Sequence, residues 1–145
     1  MKKSLLFTLA FLFLSCSDSD TDSDDDLLNK NAELLVGKWA YSSSRINGVI
    51  NNQFKHSGEA CPGFKPDYIQ FTENGRYIQF AFLNCEEEFV VDKLYQLKGD
   101  TIYITNEETG NKVFNSTILE VTQSTLILRT EIPDIVLEEG FKKIE

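Results

Sequence analysis

The chain is poor in the residues that most chemistry requires. It has one histidine, His56, and one tryptophan, Trp39, in 145 residues. No Gly-x-Ser-x-Gly elbow is present, which removes the usual signature of an acyl-transfer triad. No Cys-x-x-Cys or His-x-x-x-His spacing offers a zinc site, so no metal and no cofactor are expected. Basic residues are few, 14 Lys and Arg against 23 Asp and Glu. Beyond the N-terminal signal they cluster only at Lys142-Lys143, and a nucleic-acid partner needs a basic patch. No apolar run reaches the roughly 20 residues of a spanning helix. The acidic runs Glu86-Glu87-Glu88 and Glu138-Glu139 fall near strand ends and read as solvated rather than as paired acid–base groups. These absences describe a protein that is not an enzyme.

What is present begins at the N-terminus. Lys2 and Lys3 precede the apolar run Leu5–Leu14, and Ser15 and Cys16 follow. A positive segment, an apolar stretch of roughly 7–15 residues and a small residue before the cut make an export signal. Its end resembles the lipobox of bacterial lipoproteins. The resemblance implies that residues 1–15 are removed and that Cys16 is acylated, tethering the protein to a membrane. Several acyl chains hold a protein stably where one does so only marginally. Residues 16–26 add six aspartates, from Asp18 to Asp26, with no apolar residue to bury, and so form a disordered tether. An EF-hand does not fit there, because its glycine and glutamate positions hold Ser23 and Asn29. The acidic tail is similar to the surface-export signal of Bacteroidota lipoproteins, which implies an outer-membrane anchor with display at the cell surface. The other reading of the tail is a plain spacer.

With Cys16 acylated, Cys61 and Cys85 remain of the three cysteines. In an oxidising compartment they are expected to pair, the alternative being two free thiols.

Residues 27–145 form one domain. Apolar spacings over Leu27–Val36 predict a short helix ended by Gly37. Strands are expected at Gly37–Ile46, Asp67–Thr72, Arg76–Leu83, Phe89–Leu97, Thr101–Thr105, Lys112–Val121, Thr125–Glu131 and Phe141–Ile144. Residues 47–65 read as a long loop, and a further loop holds Pro133. Glu73-Asn74-Gly75 carries the Asn-Gly hairpin signal. Short connections make sequential strands antiparallel neighbours. The expected fold is therefore all-β, an eight-stranded antiparallel up-and-down barrel with a short N-terminal helix, a closure that removes exposed sheet edges. A two-sheet sandwich is the alternative.

Gly37-Lys38-Trp39 after a short helix resembles the start of the lipocalins. The ordered set continues with Tyr68-Ile69-Gln70-Phe71, Glu73-Asn74-Gly75-Arg76-Tyr77, Tyr95 through Ile104, and Thr125-Leu126-Ile127-Leu128. Leu34–Ile144 as a whole is similar to the lipocalin-like domain of Bacteroidota lipoproteins. The Thr-Asp-x-Tyr motif of secreted lipocalins is absent, so no particular ligand carries over. One face of each strand lines the interior, with Trp39, Tyr41, Phe71, Tyr77, Tyr95, Ile102 and Leu126 as the candidates. Trp39 is expected to plug the closed end or to stack a ligand. Arg129 is placed either over its ring as a cation–π partner or outward. Two functions remain open. One is a monomeric barrel binding a small hydrophobic ligand. The other is a surface module with a filled interior that docks a protein or glycan.

Overall fold

The computed structural model describes residues 30–51, 61, 63, 65–83, 85 and 87–145. The export signal, Cys16, the acidic tail and His56 lie outside the described residues. Residues 30–35 form a short helix, α1. Nine strands follow: β1 Gly37–Ile46, β2 Val49–Ile50, β3 Tyr68–Phe71, β4 Arg76–Leu83, β5 Glu87–Lys98, β6 Thr101–Thr105, β7 Lys112–Val121, β8 Thr125–Ile132 and β9 Ile135–Lys143. Each strand from β3 to β9 pairs antiparallel with the next, and β1 pairs with both β3 and β9. Eight strands thus close a barrel, as the turn pattern predicts, and β2 is a two-residue spur on the end of β1.

Two expectations about strand limits need correction. The stretch 47–65 is not all loop: Asn47-Gly48 turns β1 back into β2, with φ of 50° and 80°. Positive φ at both positions is what a two-residue hairpin needs, and Asn-Gly supplies it. The last strand is not confined to Phe141–Ile144. It starts at Ile135, directly after the Pro133-Asp134 turn, in which Asp134 has a φ of 67°. Ile132 and Ile135 pair across that turn, so the hairpin is tight and Pro133 sits where no ladder donor is needed.

Three strand pairings, β1–β9, β6–β7 and β7–β8, carry register shifts that help set which side chains face inward. The β1–β9 register slips between Tyr41 and Ser43, and the β7–β8 register between Ile118 and Glu120. An extra residue on one strand reverses the alternation beyond it. Tyr41 and Ser44 therefore both face the interior, although they are an odd number of residues apart. Cys61 and Cys85 are disulfide-bonded with Cα atoms 5.4 Å apart. The bridge ties the segment before β3 to the β4–β5 turn.

The closed end is built on Gly37-Lys38-Trp39. Gly37 has a φ of 137°, and a Cβ there would lie 2.6 Å from the Glu145 carbonyl oxygen. The Lys38 amide donates to that same carbonyl at 2.9 Å, so the backbone cannot retreat without losing the bond. Gly37→Ala is expected to lower stability by about 2 kcal/mol from backbone strain and the clash. Urea unfolding checks it, and a loss within about 0.5 kcal/mol, the range of an ordinary surface change, would contradict it.

Candidate functional site

Strand alternation sends one side chain in two toward the barrel axis. The closed end is packed solid by Leu35 from α1, Trp39 from β1 and Leu126 from β8, each fully buried. The Trp39 indole N–H donates to the Leu35 carbonyl at 2.8 Å, which fixes the ring under the barrel and α1 against it. The cation over the ring is Lys143, with Nζ 4.9 Å from the centroid. Arg129 instead points outward and pairs with Glu131 at 2.8 Å. Trp39 is a plug, enclosed by protein and out of reach of a ligand in the cavity.

Above this floor the packing stops, and a cavity of about 320 Å³ occupies the barrel. Tyr41, Phe71, Tyr77 and Ile102, all expected inside, line it. Trp39 and Leu126 lie below it. Tyr95 does not reach it: its hydroxyl donates to the Thr72 carbonyl at 3.1 Å, and its ring meets the edge of Phe71 at 5.1 Å. Tyr95 thus braces the β3–β4 turn. The remaining wall comes from positions that strand periodicity could have supplied. They include Ile69, Ile104, Phe114, Leu128, Leu137 and Phe141. Tyr41 packs on Phe141 at 4.7 Å, and Tyr77 on Phe71 and Phe114 at 5.5 and 5.9 Å, giving an aromatic side to the wall.

Polar groups in the wall are few. Gln79 Nε2 donates to the Tyr41 hydroxyl oxygen at 3.0 Å. The Ser116 and Thr130 hydroxyls share a hydrogen bond of 2.6 Å. The exception is Glu139, which lines the cavity with no hydrogen bond or ion pair to any other described residue. Glu138 and Glu139 are therefore not one solvated run. β9 turns Glu138 outward toward Arg45, at 4.0 Å, and Glu139 inward. Burial pushes the Glu139 carboxyl up to about 7. Burial, with the Glu139 charge second, raises the Tyr41 and Tyr77 phenols, so both stay protonated in any ordinary buffer. Opposite Glu139 in register is Ser44, whose buried hydroxyl also lacks a partner.

The open end carries an apolar rim. Ile46, Val49 and Ile50 on the β1–β2 hairpin and Ile132 and Ile135 on the β8–β9 hairpin are all exposed. Among the described residues no group of three His, Cys, Asp or Glu could hold a metal ion.

A family model described as a lipocalin-like domain matches residues 35–128. No curated protein matches the chain. Among solved structures, a lipocalin-like protein from Bacteroides uniformis is similar at 18% identity and a TM-score of 0.48, covering 77% of this chain and 99% of its own. An uncharacterized protein from Bacteroides eggerthii is similar at 15% identity and a TM-score of 0.49, covering 76% of this chain and 99% of its own.

Proposed function

The chain belongs to the lipocalin-like domain family, and from that premise we propose that it is a membrane-anchored, noncatalytic protein whose barrel binds a small, largely apolar ligand. The observation that carries this reading is the cavity of about 320 Å³, walled mostly by aliphatic and aromatic side chains. Pockets of this size and character are the usual ligand sites of folded domains. A packed interior leaves few voids larger than a water molecule, so a module with a filled barrel would not need this one. Burying roughly 300 Å² of apolar ligand surface contributes about 7 kcal/mol before ordering costs. The exposed Ile and Val rim gives such a ligand an apolar approach.

The test is titration with N-phenyl-1-naphthylamine, a neutral fluorophore that brightens in apolar surroundings. Saturable binding is expected. Leu128→Trp, which fills the cavity from its wall, should weaken it at least tenfold, about 1.4 kcal/mol, with the β-sheet circular dichroism kept. Equal binding by the folded variant would place the probe elsewhere and sink the reading.

Anchoring is the second part of the proposal. The Lys2-Lys3 segment, the apolar run to Leu14 and Ser15-Cys16 support acylation of Cys16, and the aspartates that follow support display at the outer-membrane surface. Cys16→Ala should move the protein from the membrane to the soluble fraction. A variant that is processed normally and stays in the membrane would contradict the anchor.

A further inference from the structure

The Glu139 carboxyl is out of place in an apolar cavity unless something joins it. Isolating a charge from water is costly, and buried charges are normally paired or hydrogen-bonded. Its neighbour in sequence, Glu138, has Arg45 across the outer face. Glu139 has no counterpart: among the described residues no Lys, Arg or His lines the cavity. The groups that face it are neutral from every side, Tyr41 and Ser44 from β1, Tyr77 and Gln79 from β4, and Leu128 and Thr130 from β8. Ser44, opposite Glu139 in register, has its hydroxyl buried without a partner, but it does not line the cavity.

We propose that Glu139 is the polar anchor of the cavity and makes it select amphipathic ligands bearing a protonated amine over ligands bearing a carboxylate. This rests on the reading of the barrel as a ligand site. An ammonium head supplies the positive charge and the donors that the Glu139 carboxylate lacks, while the aliphatic body lies against Ile69, Ile104 and Leu128. A carboxylate head would bring a second negative charge into a site with no cation to offset it, and like charges at close range disfavour one another. The sign of the pH dependence follows. Burial pushes the free carboxyl up to about 7, and an ammonium meets its ionised form. Amine affinity should rise between about pH 6 and about pH 8. Carboxylate affinity should fall over the same interval.

The test compares n-octylamine, n-octanol and octanoate on the full chain by isothermal titration calorimetry at about pH 8, where the amine is protonated. Octylamine is expected to bind at least tenfold more tightly than octanol, with octanoate the weakest of the three. Glu139→Gln should erase the amine's advantage over octanol, and lowering the pH to about 6 should reduce the advantage in the wild type. Octanol binding with no preference for the amine, or a preference that survives in Glu139→Gln, would overturn the anchor and leave the apolar site standing. Failure of all three compounds to bind would remove the site and the anchor together.

Discussion

Trp39→Ala lowers the stability of the barrel by about 3–5 kcal/mol, the range for emptying a large buried aromatic position. Three losses combine there. The indole is fully buried at the closed end and packs with Leu35 and Leu126. Its N–H holds the Leu35 carbonyl at 2.8 Å, and that acceptor would be left buried without a donor. Lys143, whose Nζ lies over the ring and also donates to the Leu34 carbonyl at 3.2 Å, loses its aromatic surface. Urea unfolding followed by circular dichroism measures the effect. Trp39→Phe should recover most of the packing but not the hydrogen bond, and so fall between the two. A loss below about 1 kcal/mol for alanine, an ordinary substitution effect, would mean that Trp39 does not close the barrel.

Glu139→Gln has the opposite sign: the variant is more stable than the wild type at about pH 8, by about 3 kcal/mol at most. Burial raises the carboxyl from 4.5 to about 7, so the native state holds its proton more tightly than the unfolded chain does. That contribution is fully present below about 4.5 and declines as pH rises, levelling off above about 7. Glutamine keeps the shape and removes the titration. The two proteins should therefore unfold at similar urea concentrations near about pH 4 and diverge between about pH 4.5 and 7. Parallel curves across that interval would show that Glu139 is solvated in the native protein. The same outcome would weaken the case for it as an amine anchor. The variant also separates stability from selectivity, since the change expected to strengthen the fold is expected to abolish the preference for octylamine.

The barrel was legible because its signals are local. Asn74-Gly75 marks a turn, β-branched and aromatic runs mark strands, and Gly37-Lys38-Trp39 marks the closed end. Asn47-Gly48 carries the same hairpin signal as Asn74-Gly75, but only two residues follow it in a strand, too few to show alternation. The cavity wall was half legible. Extending the alternation from Phe71 back to Ile69, from Ile102 to Ile104 and from Leu126 to Leu128 reaches most of what was missed. Glu139 was not legible. Beside Glu138 it reads as a solvated acidic pair, and only a strand running from Ile135 divides the two between faces. That strand pairs with β8 through the Pro133-Asp134 hairpin and also with β1, about a hundred residues away in sequence, where the bulge between Tyr41 and Ser43 brings Ser44 opposite Glu139. No local pattern encodes a pairing of that kind. Tyr95 erred in the other direction. Its alternation points inward, yet its hydroxyl finds the Thr72 carbonyl before the cavity.

The central claim, that the barrel interior is the ligand site, is tested most directly by methyl chemical shifts. Protein labelled at its Ile, Leu and Val methyls is titrated with n-octanol and followed by two-dimensional NMR. The account predicts saturable shifts at Ile69, Ile102, Ile104, Leu128 and Leu137, which line the cavity. Val90, Val113 and Leu119, exposed elsewhere on the surface, should stay in place. Shifts at those exposed methyls with the interior set unmoved would place binding outside the barrel and contradict the account.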